Sequence, residues 1–182
     1  MNLINLNTIE ENAPIYSESI SSIKASLIWL DQDTELDLTL FYKTKDSEEG
    51  FVSSDSDTSD CSITYVDGGV EETDSSVCYE KFNITDTAKF ESIYFIVSNY
   101  SDVVLNRDTK FKDYTAILKL SVQGSDTDLR ITTKLSCEDP GKFLLVGKLY
   151  RDEGTLRFTN INKVMSQGSL KSDVPGAYKI CF

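Results

Sequence analysis

Apolar positions along this chain recur with a period of two. In Leu36-Asp37-Leu38-Thr39-Leu40-Phe41-Tyr42 the leucines and Tyr42 share one phase, and Asp37, Thr39 and Phe41 share the other. Ala116, Leu118, Leu120 and Val122 alternate with Thr115, Ile117, Lys119 and Ser121, and Leu129, Ile131, Thr133 and Leu135 alternate with Arg130, Thr132 and Lys134. Successive side chains of extended backbone point to opposite faces, so this is the pattern of a half-buried strand. Ile93-Tyr-Phe-Ile-Val97 is instead a continuous run of β-branched and aromatic residues, as expected of a strand buried on both faces. Helical spacing is not sustained for three turns anywhere.

About nine strands are predicted, near Ser26–Leu30, Leu36–Tyr42, Ser62–Val66, Val77–Phe82, Ile93–Ser98, Thr115–Val122, Leu129–Lys134, Phe143–Arg151 and Thr155–Ile161. Asp152-Glu153-Gly154 suits a short hairpin loop with Gly in the left-handed position, and Asp139-Pro140-Gly141 a second turn. Gly50–Asp60, rich in Ser, Asp and Thr, reads as the centre of an acidic, mobile surface loop around 46–60. A short helix fits between Asn162 and Pro175. Many short strands and little helix predict an all-β fold, a two-sheet antiparallel β-sandwich. At 182 residues the chain is the size of a single domain, 1–182, with a substantial core.

Charge narrows the choice of partners. The formal net charge is −12, from 30 acidic and 18 basic residues. From Asp46 to Glu80 there are eleven acidic residues and no Lys or Arg, which leaves 19 acidic against 18 basic residues elsewhere. Nucleic-acid phosphates and anionic membrane surfaces would be repelled, so neither is expected as a partner, whereas cations and basic proteins suit the field. No stretch approaches the ~20 apolar residues of a membrane span. The first 23 residues hold no Lys or Arg and no apolar run of signal-peptide length, which makes a cytoplasmic location the expectation.

Histidine is absent, which removes His-based nucleophile pairs and nearly every mixed His/Cys zinc site. Cys61, Cys78, Cys137 and Cys181 are far apart without a C-x-x-C pair, and are expected to be reduced thiols. No P-loop, dinucleotide fingerprint or nucleophile elbow is present, so no catalytic residue is assigned.

Two acidic clusters remain. Asp31-Gln-Asp33-Thr-Glu35-Leu-Asp37 places a carboxylate at every second position, like the opening of an EF-hand loop. The match fails at the sixth position, Leu36 instead of Gly, and at the twelfth, Tyr42 instead of Glu. Its alternation still gathers carboxylates on one side of any extended stretch. Asp67-Gly68-Gly69-Val70-Glu71-Glu72-Thr73-Asp74 combines paired glycines with hard oxygen donors, a composition that suits calcium and equally suits an acidic turn.

The order of these pieces resembles the tellurite-resistance TerD-like family of stress proteins. Phe143-Leu-Leu-Val-Gly-Lys-Leu-Tyr-Arg151, Asp152-Glu-Gly154 and Thr155-Leu-Arg-Phe158 resemble the family's closing hairpin, G-E-L-Y-R, a short turn and W-K-F. Ile93-Tyr-Phe-Ile-Val97 continuing to Tyr100-Ser-Asp102 resembles the strand I-V-F-V-V with an acid after it. Ser26-Leu-Ile-Trp-Leu-Asp31 through Glu35-Leu-Asp-Leu-Thr39 resembles G-L-x-W-D followed by D-L-D-A-S, with Glu at position 35 and a shortened loop. The resemblance implies a non-catalytic β-sandwich that binds calcium through acidic loops and acts in stress resistance. The expected ligands are Asp31, Asp33, Glu35, Asp37, Asp67, Glu71, Glu72 and Asp74. The alternative is a structural or decorating subunit that uses the sandwich surface for protein partners and has lost the metal site.

Overall fold

The computed structural model describes residues 13–15, 20–30, 33–55, 62–71, 76–124 and 129–180. Among the described residues eleven strands and two short α-helices follow one another, with three single 3-10 turns between or after them. They are β1 (Ala13–Ile15), β2 (Ile20–Leu30), β3 (Leu36–Thr44), β4 (Glu49–Val52), β5 (Ile63–Val70) and β6 (Val77–Thr85), then β7 (Phe90–Asn99), helix α1 (Tyr100–Val104), β8 (Thr115–Gly124) and β9 (Leu129–Lys134). The hairpin β10 (Phe143–Asp152) and β11 (Thr155–Met165) and helix α2 (Gln167–Asp173) follow. One sheet has the order β1-β11-β10-β7-β3-β4 and the other β5-β6-β2-β8-β9, with every pairing antiparallel. The fold is the expected two-sheet antiparallel sandwich with little helix.

The alternation explains the packing. Ile23, Ala25, Leu27 and Trp29 of β2, Ala116, Leu118, Leu120 and Val122 of β8, and Leu36, Leu38, Leu40 and Tyr42 of β3 meet between the sheets. Ile93, Phe95 and Val97 of β7 join them, whereas Ile96 lies in a second core with Phe41, Phe51, Phe143, Leu170 and Val174. The six-stranded sheet is thus covered on both faces, the outer one by α2 and the residues after it. That is why the central strand β7 reads as an unbroken apolar run. Among the described residues no helix packs on the outer face of the five-stranded sheet, and its strands keep a polar phase.

Several boundaries move. Glu49–Val52 lies in the segment read as the acidic loop but forms β4, because Phe51 packs on Phe41 at 5.9 Å between ring centroids. Of that loop, residues 56–60 lie outside the described residues. Asp67–Val70, read as part of a loop, continues β5 past an irregularity between Tyr65 and Asp67. The final strand runs on to Met165, and the helix starts only at Gln167, where the Ser166 side chain accepts the Ser169 N–H. The β10–β11 turn is as expected: Glu153 and Gly154, with φ of 48° and 84°, link the paired Asp152 and Thr155.

Gly147 marks the tightest packing in this hairpin. It follows a register shift in β10, and a Cβ there would lie 2.7 Å from the Thr159 carbonyl oxygen and 2.8 Å from a ring carbon of Phe158. Gly147→Ala is expected to cost about 1–3 kcal/mol, lowering the melting temperature by several degrees in a calorimetric scan.

Candidate functional site

At one end of the sandwich the two sheets part around a cleft of about 690 Å³. It opens where β2 and β5 end and where β3 and β6 begin. The carboxyls of Asp33, Glu35, Asp37, Asp55 and Glu80 line it together with Trp29 and Tyr65. No Lys or Arg lines it among the described residues.

Glu80 is the buried member of this set. Cys78, Glu80, Phe82 and Ile84 form the inward phase of β6, so a carboxyl occupies an apolar position, 7% exposed. A reason for it lies across the interface. Strand β4 pairs with β3 only from Leu40 to Lys43, which leaves the first residues of β3 without a neighbour on that edge. The Leu38 N–H donates to Glu80 Oε2 at 2.6 Å, so a side chain of one sheet satisfies the edge backbone of the other. Gly68 contributes by absence, because a Cβ there would collide with the Tyr65 hydroxyl and lie 3.4 Å from Glu80 Cγ.

The electrostatics follow from burial without a counter-charge. Burial, then Glu35 and Asp55, push Asp37 up from 3.8 to about 7. Burial pushes Glu80 up from 4.5 to about 8, the Leu38 N–H opposes that shift, and Asp37, Asp55 and Glu35 add to it. Burial and the neighbouring Glu80 also push the Tyr65 phenol up. Near neutral pH the cleft therefore holds protons that ordinary carboxylates would have lost.

The expected calcium ligands divide between two places. Asp33, Glu35 and Asp37 all line the cleft, together with the intervening Thr34 and Leu36. Asp67 and Glu71 do not join them. Asp67 stands opposite Lys81 in the β5–β6 register, and the Lys81 Nζ lies 3.9 Å from Asp67 Oδ1 and 4.0 Å from Glu71 Oε1. That ammonium also sits 3.5 Å from the centroid of the Tyr79 ring, on the outer face of the five-stranded sheet. Asp31, Glu72 and Asp74 lie outside the described residues. Among the described residues, no group of three or more His, Cys, Asp or Glu side chains is placed to hold a metal ion.

Glu80 and Asp55 are the cleft residues absent from the expected set. For Glu80 a signal existed: in Cys78-Tyr-Glu80-Lys-Phe82-Asn-Ile84 the acid falls on the apolar phase. Of the cysteines, Cys78 lines the cleft as a buried thiol and Cys137 is a half-buried thiol, while Cys61 and Cys181 lie outside the described residues. No helix among the described residues is long and apolar enough to cross a membrane.

No family model matches this sequence, and neither do curated proteins or solved structures.

The two raised carboxyls fix an unusual pH dependence. An unfolded chain loses these protons near pH 4, whereas the folded protein keeps them to about 7 and about 8. Across that window the folded state binds more protons, so stability falls as pH rises from about 4 to about 8 and levels off above. Glu80→Gln keeps an acceptor for the Leu38 N–H but removes the titrating group. Its melting temperature is expected to fall less steeply over this range than that of the parent protein. Parallel curves would show that Glu80 ionises normally.

Proposed function

We propose that this chain is a non-catalytic interaction module, a structural or decorating subunit that works through its surface. One observation carries the reading: the uncovered apolar side chains are gathered at one end. Seven large hydrophobic side chains are exposed among the described residues, and five of them, Leu30, Val70, Tyr100, Val104 and Leu105, belong to the end where the cleft opens. Leu30 closes β2, Val70 closes β5, and the other three lie on α1 and the residue after it, directly beyond β7. Their exposures run from 45% to 63%. Singly exposed apolar residues are ordinary, but a group of them around one opening marks a place where another molecule is received.

The calcium-binding stress-resistance reading rests on the TerD-like hairpin and acidic loops of the sequence. Against it stands the placing of Asp67 and Glu71, which lie 3.9 and 4.0 Å from the Lys81 ammonium and do not line the cleft with Asp33, Glu35 and Asp37. Melting of chelator-treated protein separates the two readings. A ligand bound only by the native state raises the melting temperature by mass action. Calcium chloride is expected to do no more than magnesium chloride, or than sodium chloride at matched ionic strength. A calcium-specific rise that Asp37→Asn reduces would make the domain a metal-binding module instead.

A further inference from the structure

We infer that the cleft end is a docking face for a basic segment of another protein, one in which Lys or Arg side chains alternate with apolar residues. The inference rests on the interaction-module reading and adds to it the face and the chemistry of the partner.

Three features of that end decide the occupant. Two of its exposed apolar residues, Val70 and Tyr100, line the opening itself, and Leu30, Val104 and Leu105 belong to the strand end and helix that adjoin it. Helix α1 is fixed there rather than loosely attached: the Tyr100 N–H donates to the Glu35 carbonyl at 3.1 Å, and Asn99 accepts the Asp102 N–H at 3.0 Å while donating to the Tyr114 hydroxyl at 3.1 Å. Inside the rim the ionisable side chains are the acids Asp33, Glu35, Asp37, Asp55 and Glu80 with Tyr65, Tyr79, Tyr100 and Cys78, and no Lys or Arg is among the described lining residues. Asp37 and Glu80 keep their protons until a cation lies beside them. Apolar side chains of a partner would cover Leu30, Val104 and Leu105, and an ammonium or guanidinium group would enter between the carboxyls.

Charge complementarity excludes the other occupants of an apolar face. A membrane surface carries anionic lipid and would meet a chain of net charge −12. A second copy docked by the same end in a two-fold arrangement would set acidic cleft against acidic cleft. A basic partner gains from the rim and from the cleft together, and such pairing also speeds encounter at low salt.

The test is fluorescence anisotropy with a labelled synthetic peptide of alternating leucine and lysine, measured against the full chain. Two comparison peptides carry glutamate for lysine, or serine for leucine. The leucine–lysine peptide is expected to bind, and the other two to bind at least about tenfold more weakly. Val104→Ser/Leu105→Ser and Asp37→Asn are each expected to weaken binding by about tenfold, with melting curves confirming that the variants fold. Equal binding of the serine–lysine peptide, or affinities unchanged in both variants, would overturn the inference. So would self-association in sedimentation runs that Val104→Ser/Leu105→Ser abolishes, because the face would then belong to a second copy. Failure of the peptide while calcium remains inert in melting experiments would remove this face and leave the interaction reading in place. Calcium-specific stabilisation would overturn that reading whatever the peptide does.

Discussion

The hydrogen bond from the Leu38 N–H to Glu80 Oε2, 2.6 Å long, is the constraint on which the cleft end depends. It exists because an edge strand is shorter than its neighbour. Strand β4 is four residues long against nine in β3, so among the described residues the start of β3 has no strand beside it on that side. A buried N–H left there without an acceptor would cost about 1–3 kcal/mol. Glu80 supplies the acceptor from the opposite sheet and is drawn into the apolar interior to do so. Its burial places a carboxyl beside Asp37, Glu35 and Asp55 in a region with no described basic residue to balance them.

From this one arrangement the chemistry of the end follows. A lone carboxylate taken out of water regains stability by keeping its proton or by meeting a cation. With nothing bound, Asp37 and Glu80 take the first course. The outer face of the five-stranded sheet shows the second, where Lys81 lies across from Asp67 and near Glu71 on a neighbouring strand. Within one acidic region there are thus two acids that share one lysine and, among the described residues, a cleft lined by no Lys or Arg. Five of the seven exposed large hydrophobic side chains among the described residues belong to the cleft end, and this supports reading it as the place where a partner's positive charge is received.

The sandwich was legible because period two is a direct record of which face is buried. Leu36, Leu38, Leu40 and Tyr42, and Ala116 through Val122, kept the phase they show in the sequence. Strand β4 was not legible: Glu49–Val52 has two large apolar residues inside an acidic run, and its strand character comes from pairing with β3 and from Phe41 beneath Phe51. The cleft was half legible. Asp33, Glu35 and Asp37 share one opening because the whole 33–37 segment lines it, and the direction of Asp67 depends on a cross-strand register that places it opposite Lys81. Glu80 was counted as one more acid of a charged segment, although its phase in β6 already marked it as inward. Which strand ends meet, and so which acids share a cleft, is set by tertiary pairing that no local pattern contains.

The most direct measurement is a carbon-13 NMR titration of protein labelled at the Asp and Glu carboxyls, with Glu80→Gln and Asp37→Asn used to assign the two resonances. Midpoints near 7 for Asp37 and near 8 for Glu80 are expected, well separated from the exposed carboxylates. The Glu80 midpoint should fall in Asp37→Asn, because the Asp37 charge is one of those that raise it. If both resonances titrate with the exposed carboxylates near pH 4, the carboxyl pair is not held out of water. A proton-retaining acidic cleft would then not be part of this protein.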